Sequence, residues 1–315
     1  MTRTKHSLIP AFMLAALFSI ASAPAQAGWF DWLKKDTYTA TQYPFALAGG
    51  LGAPDGNFYR VPEELRRSGA KVFITEQAAF HGPEVRGEQL AREVEEILAA
   101  TGAGKVHLIG HSQGAQTVRY VGSVYPQYVA SVTTLSYAHN GSKIADLALQ
   151  VTDGPIQQPL TDIIDTFTSF AYQWLGGDHN EEHDMMAVLN STSTEGTAQF
   201  TAQHPYGAPT EECGQGPELA ENGVRYYSWS GGTPFTNVLD PTDYVWALMD
   251  PLHGGESNDG MVGSCASHWG QVIRDDYRMN HMDAINHVFG LVSPFETNPT
   301  ALFRQHANRL KNKGL

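Results

Sequence analysis

The chain has 315 residues, is 42% hydrophobic and 17% charged, and carries a formal charge of −13 at pH 7. That length suffices for one large α/β domain with a sizeable core. The acidic balance excludes nucleic acid as an expected partner and reads as solubility.

Residues 1–27 have the pattern of a secretory signal. Arg3 and Lys5 precede the apolar stretch Leu8 to Ile20, which Pro10 interrupts, and Ala25-Gln26-Ala27 is a small-x-small cleavage site. The stretch is too short and wrongly flanked for a membrane anchor. No cysteine near the cut would take a lipid. The mature chain, 28–315, is expected to start at Gly28 with a charge near −15, because the signal removes Arg3 and Lys5. No later segment holds about eighteen uninterrupted apolar residues, so no transmembrane segment is expected after signal removal.

Tyr43 to Ala48 reads as a strand that runs into the glycine loop Gly49-Gly50-Leu51-Gly52. Val61 to Arg67 reads as a short helix with Pro62 in its first turn. Lys71 to Thr75 is a second strand. From Glu84 to Ala100 the residues Leu90, Val94, Ile97 and Leu98 recur at helical spacing. Val106 to Ile109 and Val129 to Leu135 are strands, and Val224 to Trp229 is one more. Alternating strands and helices with short connections predict an α/β fold with a mostly parallel central sheet and helices on both faces. Ligands of such sheets bind beyond the carboxyl ends of the strands. The stretch Leu160 to Leu175 is amphipathic, with Ile164, Phe167, Phe170 and Trp174 on one stripe. It suits either a core-facing helix or a helical lid over about 154–177, hinged at Pro155 to Pro159 and Gly176-Gly177. Cys213 and Cys265, two cysteines in a chain expected to be exported, are expected to pair.

Between the Val106 strand and the helix that Gln113 opens lies Gly110-His111-Ser112-Gln113-Gly114. This G-x-S-x-G sequence at a strand-to-helix turn is a nucleophile elbow. The turn is too sharp for side chains at its flanks, so glycines stand there. It exposes the Ser112 hydroxyl and aims the Gln113 N–H at the place where negative charge would develop. An activated serine needs a histidine within reach and a carboxylate that fixes the imidazole tautomer. Both are expected later in the chain, the acid before the base. From order alone His281, His268, His287 and His306 all qualify. Asp259 sits in the turn-like Ser257-Asn258-Asp259-Gly260, expected to leave its carboxylate at a loop tip, with Asp240, Asp243 and Asp250 as competitors.

Several words in one order make the choice. Val85-Arg86-Gly87-Glu88-Gln89-Leu90, Leu108-Ile109-Gly110-His111-Ser112, Tyr226-Tyr227-Ser228-Trp229-Ser230-Gly231 and Leu239-Asp240-Pro241-Thr242-Asp243 are followed by Asn258-Asp259-Gly260-Met261-Val262-Gly263, Tyr277-Arg278-Met279-Asn280-His281 and Arg304-Gln305-His306-Ala307-Asn308-Arg309-Leu310. Over nearly all of its mature length the chain resembles the Pseudomonas-type secreted bacterial triacylglycerol lipases of the α/β-hydrolase fold. The resemblance implies Ser112 as nucleophile, Asp259 as orienting acid and His281 as base, with the Leu51 and Gln113 backbone N–H groups as the oxyanion hole. It implies a structural calcium ion (Ca2+) held by the carboxylates of Asp240 and Asp283 and the carbonyls of His287 and Leu291, and a Cys213–Cys265 disulfide. It also implies a lipid or ester substrate at a lipid–water interface, a lipase-specific foldase chaperone as partner, and secretion through the periplasm to the extracellular medium. Two departures stand out. Gly49-Gly50-Leu51 replaces His-Gly-Met, in a loop several residues shorter, and Gln113-Gly114-Ala115 replaces His-Gly-Gly. They leave open a short-chain carboxylesterase or a polyhydroxyalkanoate-type polyester hydrolase. A non-catalytic lipid-binding relative would not need the intact Ser112, Asp259 and His281 set.

Overall fold

The computed structural model describes residues 36–51, 58–153 and 184–315. The chain divides into a short unit, Met1–Asp36, and a compact unit, Thr37–Leu315. The signal expected over 1–27 and the amphipathic stretch Leu160 to Leu175 lie outside the described residues.

The described residues of the second unit form a six-stranded sheet of β1 (Phe45–Ala48), β2 (Val72–Thr75), β3 (Val106–His111), β4 (Val129–Leu135), β5 (Arg225–Gly231) and β6 (Gln271–Tyr277). Its order is β2-β1-β3-β4-β5-β6 and every pairing is parallel. Five strands fall where the sequence places them. β6 is an addition, and β3 runs two residues further than expected, to His111.

The helices are α1 (Val61–Arg67), α2 (Pro83–Thr101), α3 (Gln113–Val124), α4 (Lys143–Asp153), α5 (Met185–Thr192), α6 (Thr194–Gln203), α7 (Asp243–Met249) and α8 (Pro299–Asn312). Side chains alternate across a strand, and the two faces of the sheet make two cores. Phe45 and Leu47 point to one, with Ile109, Trp229, Phe303 of α8 and Leu65 of α1. Ala46 and Ala48 point to the other, with Leu108, Val132, Val118 of α3 and Leu90 of α2. Strands buried on both faces read as continuous apolar runs. β1, β3 and β4 are buried at every position, which is why they were legible.

The small residues of β1 let α3 approach closely. A side-chain carbon on Gly114 would stand 2.3 Å from the Ala48 carbonyl oxygen, and one on Gly110 would stand 2.2 Å from the Gly114 oxygen. These contacts leave no room for a methyl group at either end of the turn. Parallel pairing puts the carboxyl ends of the strands on one side, so the loops after Ala48, His111 and Gly231 share one edge. No helix among the described residues is long and apolar enough to cross a membrane.

Candidate active site

Ser112 is the junction between β3 and α3. Its φ of 53° and ψ of −130° lie outside the regions that L-residues favour. Such strain persists where surrounding structure over-determines it. Here the Ser112 N–H donates to the Leu135 carbonyl at 2.9 Å, and the Ser112 carbonyl accepts from the Ala115 N–H at 2.8 Å.

Asp259 and His281 come together from separate loops. His281 Nδ1 lies 3.1 Å from Asp259 Oδ2, with both side chains buried. The other oxygen, Oδ1, accepts from the N–H groups of Met261 at 3.0 Å and Val262 at 2.8 Å. Burial pushes the Asp259 carboxyl upward, but the charge and hydrogen bond of His281 and the two backbone donors outweigh it. The group therefore titrates below the ordinary carboxylate value. An ionised carboxylate only accepts, so the Asp259 contact assigns the proton to His281 Nδ1 and leaves Nε2 as the basic nitrogen. The carboxylate is fully buried and does not sit at the exposed loop tip that its turn sequence suggested.

His281 is also held through its backbone. Its N–H donates to the Asp259 carbonyl at 2.8 Å. Its carbonyl accepts from His111 Nε2 at 2.9 Å. Burial lowers the His111 pKa to about 3, the His281 charge adding to it, so His111 is a neutral donor wedged beside the serine.

Gly50, Leu51, Ser112, Gln113 and His281 line one cavity of about 110 Å³. Ile144, Val188, Leu189 and Met261 also line it, so apolar side chains stand beside the reactive groups. The arrangement suits an ester with a hydrocarbon acyl chain better than a charged substrate.

The loop bearing Gly50 and Leu51 is held by a residue to which the sequence assigned no role. Arg86 is 1% exposed, although it stands on a helix. Its guanidinium donates to the Gly49 carbonyl at 2.8 Å and the Gly50 carbonyl at 3.5 Å. It also donates to Thr117 Oγ1 at 3.2 Å and to the Ala78 carbonyl. Burial lowers its pKa to about 10, so it stays charged at neutral pH. It braces the loop where the histidine of the resembled family is missing. The available signal was a cation on the apolar stripe of α2, beside Leu90 and Val94.

Two of the rival bases are engaged elsewhere. His268 Nε2 contacts Asp275 Oδ2 at 2.8 Å, and its Nδ1 contacts the Gly214 carbonyl at 3.1 Å. His306 Nε2 meets Thr133 Oγ1 at 2.9 Å beneath the sheet. His287 lies in the turn after Asp283, and burial lowers its pKa. Asp250 accepts from Asn258 Nδ2 at 2.7 Å.

Asp240, Asp243 and Asp283 are fully buried. Asp240 Oδ1 accepts from the Thr242 N–H and Oγ1 at 2.7 and 2.8 Å. Asp283 Oδ2 accepts from Thr236 Oγ1 at 2.7 Å. Asp240 Oδ2 and Asp283 Oδ1 have no hydrogen-bond partner among the described residues. Burial pushes Asp283 well above the ordinary carboxylate value; bonds from Thr236 and Asn280 oppose this, and Asp243 and Asp240 push it further. Two buried, orphaned carboxylate oxygens fit a hard cation, which takes oxygen ligands. Among the described residues no three His, Cys, Asp or Glu side chains form a metal-binding group, so backbone oxygens would have to complete the shell. His287 and Leu291 belong to the segment that follows, where the His287–Val288 peptide is cis. Cys213 and Cys265 are joined in a disulfide, with Cα atoms 4.6 Å apart.

Comparison with known proteins identifies relatives of this chain. The alpha/beta hydrolase fold family matches residues 43–285. A triacylglycerol lipase of Vibrio cholerae is 45% identical over 90% of this chain and 92% of its own length. One from Pseudomonas fragi is 38% identical over 89% of this chain and its full length. One from Burkholderia plantarii is 35% identical over 96% of this chain and 93% of its own. Among solved structures, the mature lipase of Bacillus licheniformis superposes with a TM-score of 0.57 at 20% identity, covering 78% of this chain and 89% of its own. At that identity the likeness concerns the fold.

Proposed function

We propose, from the premise that this chain belongs to the alpha/beta hydrolase fold family and is a carboxylic ester hydrolase, that it is a triacylglycerol lipase with Ser112, His281 and Asp259 as its catalytic set. The observation that carries the residue assignment is the buried Asp259–His281 contact, whose histidine lines the same cavity as the elbow serine.

His281 Nε2 takes the Ser112 hydroxyl proton as Oγ bonds to the ester carbonyl carbon. The carbonyl π pair moves onto oxygen, and the N–H groups of Leu51 and Gln113 hold that oxyanion. Asp259 holds the Nδ1 tautomer and stabilises the imidazolium. The oxyanion then collapses, the C–O bond to the alcohol breaks, and His281 protonates the departing alkoxide. Water repeats the sequence on the acyl-enzyme and releases the fatty acid.

Asp240, Asp283 and the carbonyls of His287 and Leu291 would hold a calcium ion, whose contribution is to tie the His281 loop to the Asp240 loop. Export through the signal over 1–27, secretion to the medium, and folding with a dedicated foldase are parts of the same reading, the first supported by the residues of the signal and the others by the sequence resemblance.

The test is a rate series on purified protein with emulsified long-chain triacylglycerol, soluble short-chain ester and polyester film. Ser112→Ala and His281→Ala should each abolish turnover on all three. Preference for the polyester film or the short ester over the emulsion would move the substrate assignment. Near-wild-type turnover in His281→Ala would move the base.

A further inference from the structure

We propose that Asn280, gripped by Asp243, is a positioning residue for His281, and that this pair transmits the order of the buried carboxylate cluster to the base. The proposal rests on His281 being that base.

Asn280 immediately precedes His281 and is fully buried. Its Oδ1 accepts from the N–H groups of Met282 at 2.9 Å and Asp283 at 2.8 Å. The side chain of Asn280 therefore reaches across His281 and binds the chain on its far side, fixing the backbone path through the base. Its Nδ2 donates to Asp243 Oδ1. Asp243 Oδ2 is anchored in turn by the N–H groups of Thr236 and Asn237, each at 2.5 Å. Thr236 also binds Asp283 through its hydroxyl at 2.7 Å. Both oxygens of Asp243 are thus engaged inside the protein, which separates its role from that of the orphaned oxygens of Asp240 and Asp283.

Only asparagine meets the local demand. The site needs one acceptor for two backbone donors and one donor for a carboxylate, on a side chain this short. An aspartate offers no donor when ionised, a leucine offers neither, and a serine does not span the distance. The hydrogen bonds of His281 described above go to Asp259 and His111, and its ring packs against Trp246. Without the Asn280 side chain, the one side-chain bond left across the bend among those observed is the long one from the Asn280 N–H to Asp283 Oδ2, at 3.3 Å.

The exchange of the pair tests this. Asn280→Asp faces a carboxylate with Asp243, and Asp243→Asn faces an amide nitrogen with the Asn280 amide. The double variant N280D/D243N restores one donor to one acceptor, and leaves an acceptor for the backbone N–H groups at each end. All variants are made in the full chain. Turnover on a soluble short-chain ester is normalised to active sites titrated to completion with a fluorophosphonate, and melting temperature is measured alongside. Each single change should lower kcat per titrated site about tenfold or more with KM little altered, and the double should return to within about threefold of wild type. Single variants with wild-type kcat per titrated site, however low their melting temperatures, would mean a structural role only and overturn the proposal. So would a double variant no better than its singles in folding or turnover. His281→Ala, run in parallel, separates the failures: full activity there removes the base assignment itself, while an inactive His281→Ala beside normal single variants removes only the link.

Discussion

At Gly50 one added methyl group would stand 2.8 Å from Ser112 Cβ and 3.3 Å from its Oγ. Gly50→Ala should therefore displace either the serine or the Leu51 N–H, and small displacements at reacting atoms cost about a hundredfold in rate. Turnover should fall by roughly that factor with little change in melting temperature; unchanged turnover would show that the loop yields freely. His268 gives the complementary case. Its contact with Asp275 is shorter than that of His281 with Asp259, yet it does not line the cavity. His268→Ala should keep turnover per folded molecule within about threefold of wild type, and a rate measurement normalised to active sites decides it. A His–Asp distance alone would favour His268, which does not line the cavity of the elbow serine. Ser112 was legible because its turn demands a fixed spacing of glycines. His281 was not legible from order among late histidines, and only the words around it singled it out. Arg86 left only the signal of a cation on an apolar stripe, since its backbone partners come from other segments, and Asn280 left none, since its bonds to Met282 and Asp283 are those of an ordinary turn and Asp243 comes from a distant helix.

Among the elements, β3, β4 and β1 announced themselves as apolar runs, whereas β6 did not. β6 is the edge strand, and its Gln271–Tyr277 sequence carries Arg274, Asp275 and Asp276, charges that blunt an open edge. The Pro299–Asn312 helix did leave a signal: the Asn298 side chain accepts from the Thr300 N–H at 3.0 Å and Pro299 occupies the first turn. Two elements frame further predictions. The Cys213–Cys265 bond spans 52 residues, and chain entropy puts its contribution at about 4 kcal/mol. Cys213→Ala/Cys265→Ala should lower the urea midpoint accordingly, with kcat per active site nearly unchanged because neither cysteine lines the cavity. The loop carrying Asp240 and the turn carrying Asp283 frame the proposed calcium site. Chelation should lower the melting temperature of the wild-type protein, and Asp283→Asn should shrink that response. Melting that is indifferent to chelator would sink the calcium reading.

For the molecule as a whole, pH is the informative variable. Burial pushes His107 and His111 down to about 3, and His139 and His306 well below their ordinary value. Folded, these imidazoles stay neutral; unfolded, each takes a proton near pH 6.5. Below that pH the unfolded chain binds more protons, so stability falls as pH falls, by up to about 1.4 kcal/mol per pH unit for each group. Asp259, held below its ordinary value, acts in the same direction at still lower pH. Asp283 and Asp243, raised by burial, act in the opposite direction, but the four histidines outnumber them, so the urea midpoint should drop from about pH 7 toward pH 5, and His306→Asn should make the drop shallower. A midpoint independent of pH over that range would contradict the neutral burial of these groups.

The contact between His111 and His281 joins positions 170 residues apart. Its consequence is temporal. The β3–α3 turn could form while the later half of the chain was still being made, but a serine without its base is chemically quiet. A product of synthesis or breakage that ends between Ser112 and His281 carries the proposed nucleophile and lacks the proposed base. Reactivity arrives in one late step, and an abandoned or clipped chain is harmless to the esters around it.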